Sequence, residues 1–159
     1  MEDIEKVKQA KEEAEKEYNK IQKVWCPYLN GFVYFNTKGF NHLIFKSWNT
    51  TRTLTEQYTR LRLLRFVPEI TRKSHTLQEY DERKMFVRQK INSRWENRMK
   101  TVYYYVFVAI IKKARLKIII KEIEGGEKYF YSLYPSWWTA KGINGQEEKR
   151  LYSGNLEKD

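Results

Sequence analysis

Lys38, His42 and Lys46 stand four residues apart in the stretch Thr-Lys-Gly-Phe-Asn-His-Leu-Ile-Phe-Lys. At about 100° per residue they share one side of a short helix, while Phe40, Leu43 and Ile44 point the other way. Two cations so close disfavour the imidazolium form, which suits a neutral base acting on an anion. A solvated polar helix face carrying an incidental histidine has the same spacing, so the pattern names a chemistry without establishing it.

A second group of reactive side chains lies near the other end of the chain. Leu116–Ile123 and Lys128–Tyr134 flank Glu-Gly-Gly-Glu, a strong hairpin signal. With a two-residue loop the register pairs Lys121 with Phe130, Ile119 with Ser132 and Lys117 with Tyr134. One face then carries Ile118, Ile120, Tyr131 and Leu133 and belongs to the core. The other carries Lys117, Ile119, Lys121, Phe130, Ser132 and Tyr134, which could bind a phosphodiester and stack its bases. The exposed side of any two-layer sheet also carries lysines and tyrosines.

Other chemistries find little support. Two histidines and one cysteine cannot by themselves make a structural zinc site. Glu79, Asp81 and Glu82 have the charge to hold Mg²⁺ but read as an acidic surface turn. There is no phosphate-binding glycine loop, dinucleotide fingerprint or nucleophile elbow. No metal or cofactor is expected.

The elements that must position these residues follow in order. Residues 1–25 read as a charged helix with a heptad seam of Ile4, Val7, Lys11, Ala14, Tyr18, Ile21 and Trp25, available to this domain or to a partner helix. Pro27 and Asn30-Gly31 lead into a strand at Phe32–Phe35. After the histidine helix, Thr53 and Glu56 have capping-box spacing and open a second helix. Its apolar stripe is Leu54, Tyr58, Leu61 and Leu64, with Arg60, Arg62 and Arg65 around it, and Pro68 closes or kinks it. Residues 69–81 read as loop with one helical turn. Arg83–Lys100 carries seven Lys/Arg and one acid and reads as helix or irregular basic arm. Val102–Ile111 is a strand, too short to span a bilayer as a helix, and Pro135 ends the last strand. The expected organisation is a helix over 1–25, one domain over 26–138 and a polar tail over 139–159.

Charge points to the partner. The net charge is +11, and residues 37–121 hold 20 basic against 6 acidic residues, so the excess belongs to the middle of the chain. Twelve tyrosines and five tryptophans offer surface on which bases can stack. That combination fits a polyphosphate partner, with no membrane expected. Lys38, Arg60 and Arg62 on the helices, Arg88, Arg94 and Arg98 on the basic arm, and Lys117, Lys121 and Tyr134 on the sheet are the candidate nucleic-acid contacts. Cys26 is the only cysteine, and a cytoplasmic location fits best.

One resemblance joins these pieces. A short strand, a Gly-Phe-x-His-Leu helix (Gly39, Phe40, His42, Leu43), Arg52, an Arg/Leu-rich helix ending at Pro68-Glu69-Ile70 and three strands ending in Lys-Tyr-Phe-Tyr-Ser-Leu (Lys128–Leu133) resemble the barnase–EndoU–colicin–RelE nucleases of phages and mobile elements. The resemblance covers about residues 31–135. It implies an α+β fold, N-terminal helices followed by a four-stranded, mainly antiparallel sheet, and metal-independent RNA cleavage of the toxin or phage-nuclease type. It would make His42 the helix histidine, Arg52 the phosphate-binding arginine and Ser132 the hydroxyl on the last strand. The basic segment at 82–100, the first helix and the tail depart from that pattern.

Such cleavage needs a base for the 2′-OH, cations for the pentavalent phosphate and an acid for the leaving 5′-oxygen. His42 could be base or acid, Arg52 and Lys46 could clamp phosphate, and Ser132 could bond a non-bridging oxygen, with His75, Lys117 and Lys121 in reserve. RNA, single-stranded or tRNA-like, is then the expected partner, with a neutralising protein or a partner helix for residues 1–25 as a second. The main alternative is a non-catalytic RNA- or DNA-binding module that uses the same basic face.

Overall fold

The computed structural model describes residues 2–111, 114–138 and 155–159. The first helix, α1 (Glu2–Ile21), buries Val7 and Tyr18 with Ala10, Ala14 and Ile21 beside them, while Ile4 stays exposed. It docks on α3 (Leu54–Leu63) of its own chain. Gln22 takes a positive φ of 61° and turns the chain, so Trp25 lies on strand β1 (Lys23–Cys26) and not on the helical seam. Tyr18 is the anchor: its hydroxyl donates to the Asn36 carbonyl at 2.6 Å, and its ring meets Phe35, Phe40 and Phe130.

Strand β2 (Gly31–Tyr34) pairs antiparallel with β1, and α2 (Thr37–Ile44) follows, capped by the Asn36 side chain on the Gly39 amide. The chain passes through a small ribbon, β3 (Phe45–Ser47) with β4 (Thr50–Thr51), into α3. The Thr53–Glu56 capping box forms in full. The buried face of α3 is Gln57, Arg60 and Leu61, continued by Leu64, whereas Leu54 and Tyr58 of the expected stripe are exposed. Pro68 opens a helix instead of closing one: it stands in the first turn of α4 (Val67–Lys73), where its missing N–H costs nothing.

The remainder is sheet. Strands β5 (Glu79–Ile91), β6 (Arg94–Ile111), β7 (Ala114–Ile123) and β8 (Lys128–Trp138) form an antiparallel meander. The full order is β1-β2-β8-β7-β6-β5, six strands where four were expected, with β2 and β8 parallel at the single pair Tyr34↔Tyr129. The class is α+β and the sheet is mixed. The basic segment is a long hairpin, turned at Asn92 and Ser93 with φ of 49° and 65°, as a two-residue type I′ loop requires. Val87, Ile91, Trp95 and Met99 had the spacing of a helix, but sheet pairing along thirteen residues overrides it.

Helices cover one sheet face, burying Phe107, Ile118, Ile120, Phe130 and Leu133. The other face holds Tyr104, Ile119, Tyr129, Tyr131 and Tyr134 with Leu156 against them. Pro135 does not end β8; it sits beside an irregularity opposite Leu116, where a strand tolerates a residue with no N–H. Of the expected tail, residues 139–154 lie outside the described residues, and 155–159 return to the second sheet face.

Candidate anion-binding active site

One extra residue in β8 decides how the site is built. Lys117 faces Tyr134 and Ile119 faces Ser132, as the hairpin register requires, but Ile120 faces Phe130 and Lys121 faces Tyr129. The loop is longer than two residues, and a bulge between Ser132 and Phe130 compensates. Phe130 therefore goes to the helical core and Tyr131 to the opposite face, the reverse of the expected placement. Bulges of this kind re-aim side chains. Here the re-aimed ring of Tyr131 stacks on His42, with centroids 4.0 Å apart and planes at 18°.

His42 arrives from the helical side across the edge of β8. Gly39 makes that approach possible, because a methyl group there would overlap the Phe130 carbonyl and crowd the Tyr18 hydroxyl. Phe40, Leu43 and Ile44 stay in the core as expected, and His42 is 6% exposed, so it is not part of a solvated face.

Arg52, at the end of the ribbon, is 4% exposed. Its Nε donates to the His42 carbonyl at 2.9 Å, and its Nη2 lies 3.0 Å from His42 Nε2. A guanidinium only donates, so Nε2 accepts and the imidazole proton sits on Nδ1. The Arg52 backbone is itself held by the Ile44 carbonyl at 2.9 Å and the Gln57 side chain at 2.8 Å. Arg60, from α3, reaches Ser132 Oγ at 2.8 Å and the Leu133 carbonyl at 3.1 Å, with its guanidinium over the Tyr134 ring.

These groups converge on one oxygen. The Asp159 carbonyl accepts from Arg60 Nη1 at 2.5 Å, Ser132 Oγ at 2.5 Å and Arg52 Nη2 at 3.2 Å. Arg52 Nη2 also donates to the Lys158 carbonyl at 2.8 Å. Arg60 Nη2 is buried and has no hydrogen-bond partner among the described residues. A buried guanidinium nitrogen without an acceptor is costly, and it leaves one donor of the cluster unused. Beside this pocket Lys121 holds the Glu157 carboxylate through both oxygens at 2.9 Å and lies 4.4 Å from the Tyr131 ring centroid.

The electrostatics match the geometry. Burial, then Arg52, Arg60 and Lys121, hold His42 down to about 2. Its neutral form was expected, but the cations responsible are these three and not Lys38 and Lys46. Burial also lowers Arg52 and takes Arg60 down to about 9. It lowers Lys121 as well, against the opposing pull of Glu157.

A stability test follows with its sign. An unfolded histidine titrates near 6.5. Below that pH the unfolded chain takes up a proton that buried His42 refuses, so stability falls as pH drops from 6.5 toward 2. The His42 contribution to the loss between pH 7.5 and 5.0 is about 2 kcal/mol. Urea unfolding at both values should show a smaller loss in His42→Gln by that amount.

The remaining candidates lie elsewhere. Lys46 is on the ribbon and shares no hydrogen bond or ion pair with the cluster among the described residues. Lys38 lies at the rim, 5.7 Å from the Tyr129 ring. Lys117 pairs with Glu79 at 2.9 Å. Tyr134 is buried beneath Arg60 and offers no open ring for a base. Arg62 lies over Tyr58 on the outer side of α3. Arg88 stacks on Trp95 and Arg98 pairs with Glu96, both on the long hairpin with Arg94 near its tip. His75 is in the cleft between α4 and β6 and is no neighbour of the cluster. The acidic turn is strand: Glu79 pairs with Lys117, Asp81 with Arg83, and Glu82 accepts from Tyr80.

Sequence reasoning missed Tyr131, Tyr104 and the tail residues Glu157 and Asp159. No local signal marks the bulge that brings Tyr131 round, and residues far apart in sequence supply the rest. Comparison with protein-family models, with curated proteins and with solved structures returned no match. Among the described residues no helix is long and apolar enough to cross a membrane.

Proposed function

We propose that the protein is a metal-independent endoribonuclease that cleaves RNA by attack of a 2′-OH on the adjacent phosphorus. The observation that carries this reading is the meeting of Arg60, Ser132 and Arg52 on one oxygen beside a neutral imidazole. Three donors from separate elements on one acceptor suit a non-bridging phosphate oxygen, whose charge grows in the pentavalent transition state. The unpartnered Arg60 Nη2 would take a second oxygen.

The proton transfers follow from the same contacts. With phosphate in the pocket, Arg52 turns its Nη2 to the anion and leaves the His42 Nε2 lone pair free for the 2′-OH proton. The phosphate charge also offsets part of the cationic field on His42, so its basicity rises when substrate binds. Lys121, a buried ammonium of lowered pKa, is the acid placed to protonate the leaving 5′-oxygen. The products would carry 2′,3′-cyclic phosphate and 5′-hydroxyl ends.

One observation favours the alternative of a binding module without catalysis: His42 Nε2 already accepts from Arg52, and the imidazole is a weak base while it does. The two readings separate in a single assay. Single-stranded RNA incubated in excess EDTA should be cut to cyclic-phosphate ends, and the same strand with 2′-deoxyribose should survive. Retention of intact RNA, weakening steeply with salt, supports the module instead.

A further inference from the structure

The five tail residues Asn155–Asp159 cross the sheet face from strand to strand. Arg83 on β5 donates to Asn155 Oδ1 at 3.1 Å. Tyr104 on β6 and Lys121 on β7 both bond the Glu157 carboxylate. Tyr131 on β8 donates to the Glu157 carbonyl at 2.6 Å, and the Asp159 carbonyl ends in the arginine pocket. The tail stays near this line because it is a tight turn: the Lys158 and Asp159 amides both reach the Asn155 carbonyl, at 3.1 and 2.9 Å. It thus places two acidic residues in adjoining basic sites, the Glu157 carboxylate on Lys121 and Tyr104 and Asp159 between the arginines, both of which feel its charge.

The two positions differ in chemistry. The pocket at Asp159 is built from arginines and a hydroxyl around an imidazole. The position at Glu157 has an ammonium, a phenol and the Arg83 guanidinium, which lies over the Tyr104 ring at 5.4 Å and is paired on its other edge with Asp81. Tyr129 and Tyr131 form the floor between them. Nothing at the Glu157 position could serve as a base near neutral pH. It can bind an anion, and of its groups only Lys121, as the acid for the leaving oxygen, has a part in bond cleavage. The Tyr131 ring separates the two positions, its centroid 4.0 Å from that of His42 and 4.4 Å from Lys121 Nζ, a spacing that neighbouring phosphates of one strand can bridge.

We infer that Arg83, Tyr104 and Lys121 form a second phosphate subsite, taking the phosphodiester next to the scissile one. Glu157 fills this subsite in the absence of RNA as an internal substitute that the strand must displace. The inference rests on the reading of the arginine pocket as the place of the scissile phosphate. Displacement makes the tail a competitor: whatever holds Glu157 in place weakens RNA binding by the same factor. A single free phosphate in the arginine pocket competes with Asp159 and not with Glu157.

The test uses a 2′-O-methyl RNA decamer, which cannot be cleaved, and inorganic phosphate, both titrated at one ionic strength. Glu157→Gln removes the competing charge and should bind the decamer about tenfold more tightly. Arg83→Met should bind it about tenfold more weakly. Inorganic phosphate, which can enter either position, should gain a second site in Glu157→Gln and not in Arg83→Met. Unchanged or weaker decamer binding in Glu157→Gln overturns the inference, since Glu157 would then hold only the tail. Cleavage is scored separately on unmodified RNA. Tighter decamer binding with no cleavage by any variant leaves the subsite standing and removes the nuclease reading. Cleavage with decamer binding indifferent to Glu157 does the reverse.

Discussion

His42→Ala is expected to lower the rate of single-stranded RNA cleavage in EDTA by roughly a hundredfold or more, the usual contribution of a positioned general base. Two guanidiniums and a hydroxyl meet on the Asp159 oxygen, with the imidazole beside Arg52 and the Lys121 ammonium across the Tyr131 ring, so the imidazole is the neutral nitrogen base of this described set. Alanine also removes one of the three acceptors around Arg52 Nη2 and the ring stacked on Tyr131, so a slow alanine variant alone does not separate catalysis from positioning. His42→Gln does. Its amide oxygen can still accept from Arg52, yet it takes no proton near neutrality. A slow glutamine variant with normal decamer binding assigns the proton transfer to His42. A glutamine variant that cuts as fast as the parent would show that the side chain only holds Arg52, and the assignment of the base would fall.

Gly39→Ala is expected to cost about 3 kcal/mol of stability, at the upper end of overpacking penalties, and to lower Tm by about 9 °C. The overlap is with the main-chain oxygen of Phe130 in a paired strand, which has no rotamer to yield. Helix α2 must therefore lift away from β8, carrying His42 off Tyr131 and out of reach of Arg52. Any activity left in the folded fraction should drop with it, so thermal melting and cleavage fall together. A variant that melts within a degree or two of the parent would mean that α2 is not pressed against β8, and that His42 reaches the second sheet face by some other route.

Periodicity and turn chemistry made much of the fold legible. The Asn36–Ile44 segment, the Thr53–Glu56 capping box and the strands after Val102 are local patterns that pairing and packing reinforce. Errors came where local pattern and long-range pairing disagree. Arg83–Lys100 has helical spacing but pairs as strand with itself through an Asn-Ser turn, a weaker signal than Gly-Gly. Residues 23–26 continue the charged seam of α1 but belong to the sheet, because Gln22 reverses the chain. On α3 the exposed Leu54 and Tyr58 look like a core stripe, while the polar Gln57 and Arg60 are buried. Such burial is affordable only with partners, and those partners come from β8 and from the Asp159 carbonyl, which no reading of α3 could supply.

The candidate site divides along the same line. The sequence by itself determined the residue types: a histidine on a short helix, an arginine ten residues on, a serine on a hairpin strand, and an excess of positive charge in the middle of the chain. The expected Lys117–Tyr134 and Ile119–Ser132 pairings are present, but they result from a longer loop offset by the bulge and not from a two-residue Gly-Gly turn. Only the tertiary structure decided that His42, Arg52, Arg60 and Ser132 meet in one cluster around the Asp159 oxygen. That outcome depends on a bulge that turns Tyr131 over, on a glycine that lets α2 touch the edge of β8, and on a tail that folds back from the far end of the chain. Each is a contact between segments distant in sequence, and the free energy that selects it comes from burial and charge pairing that exist only once those segments meet.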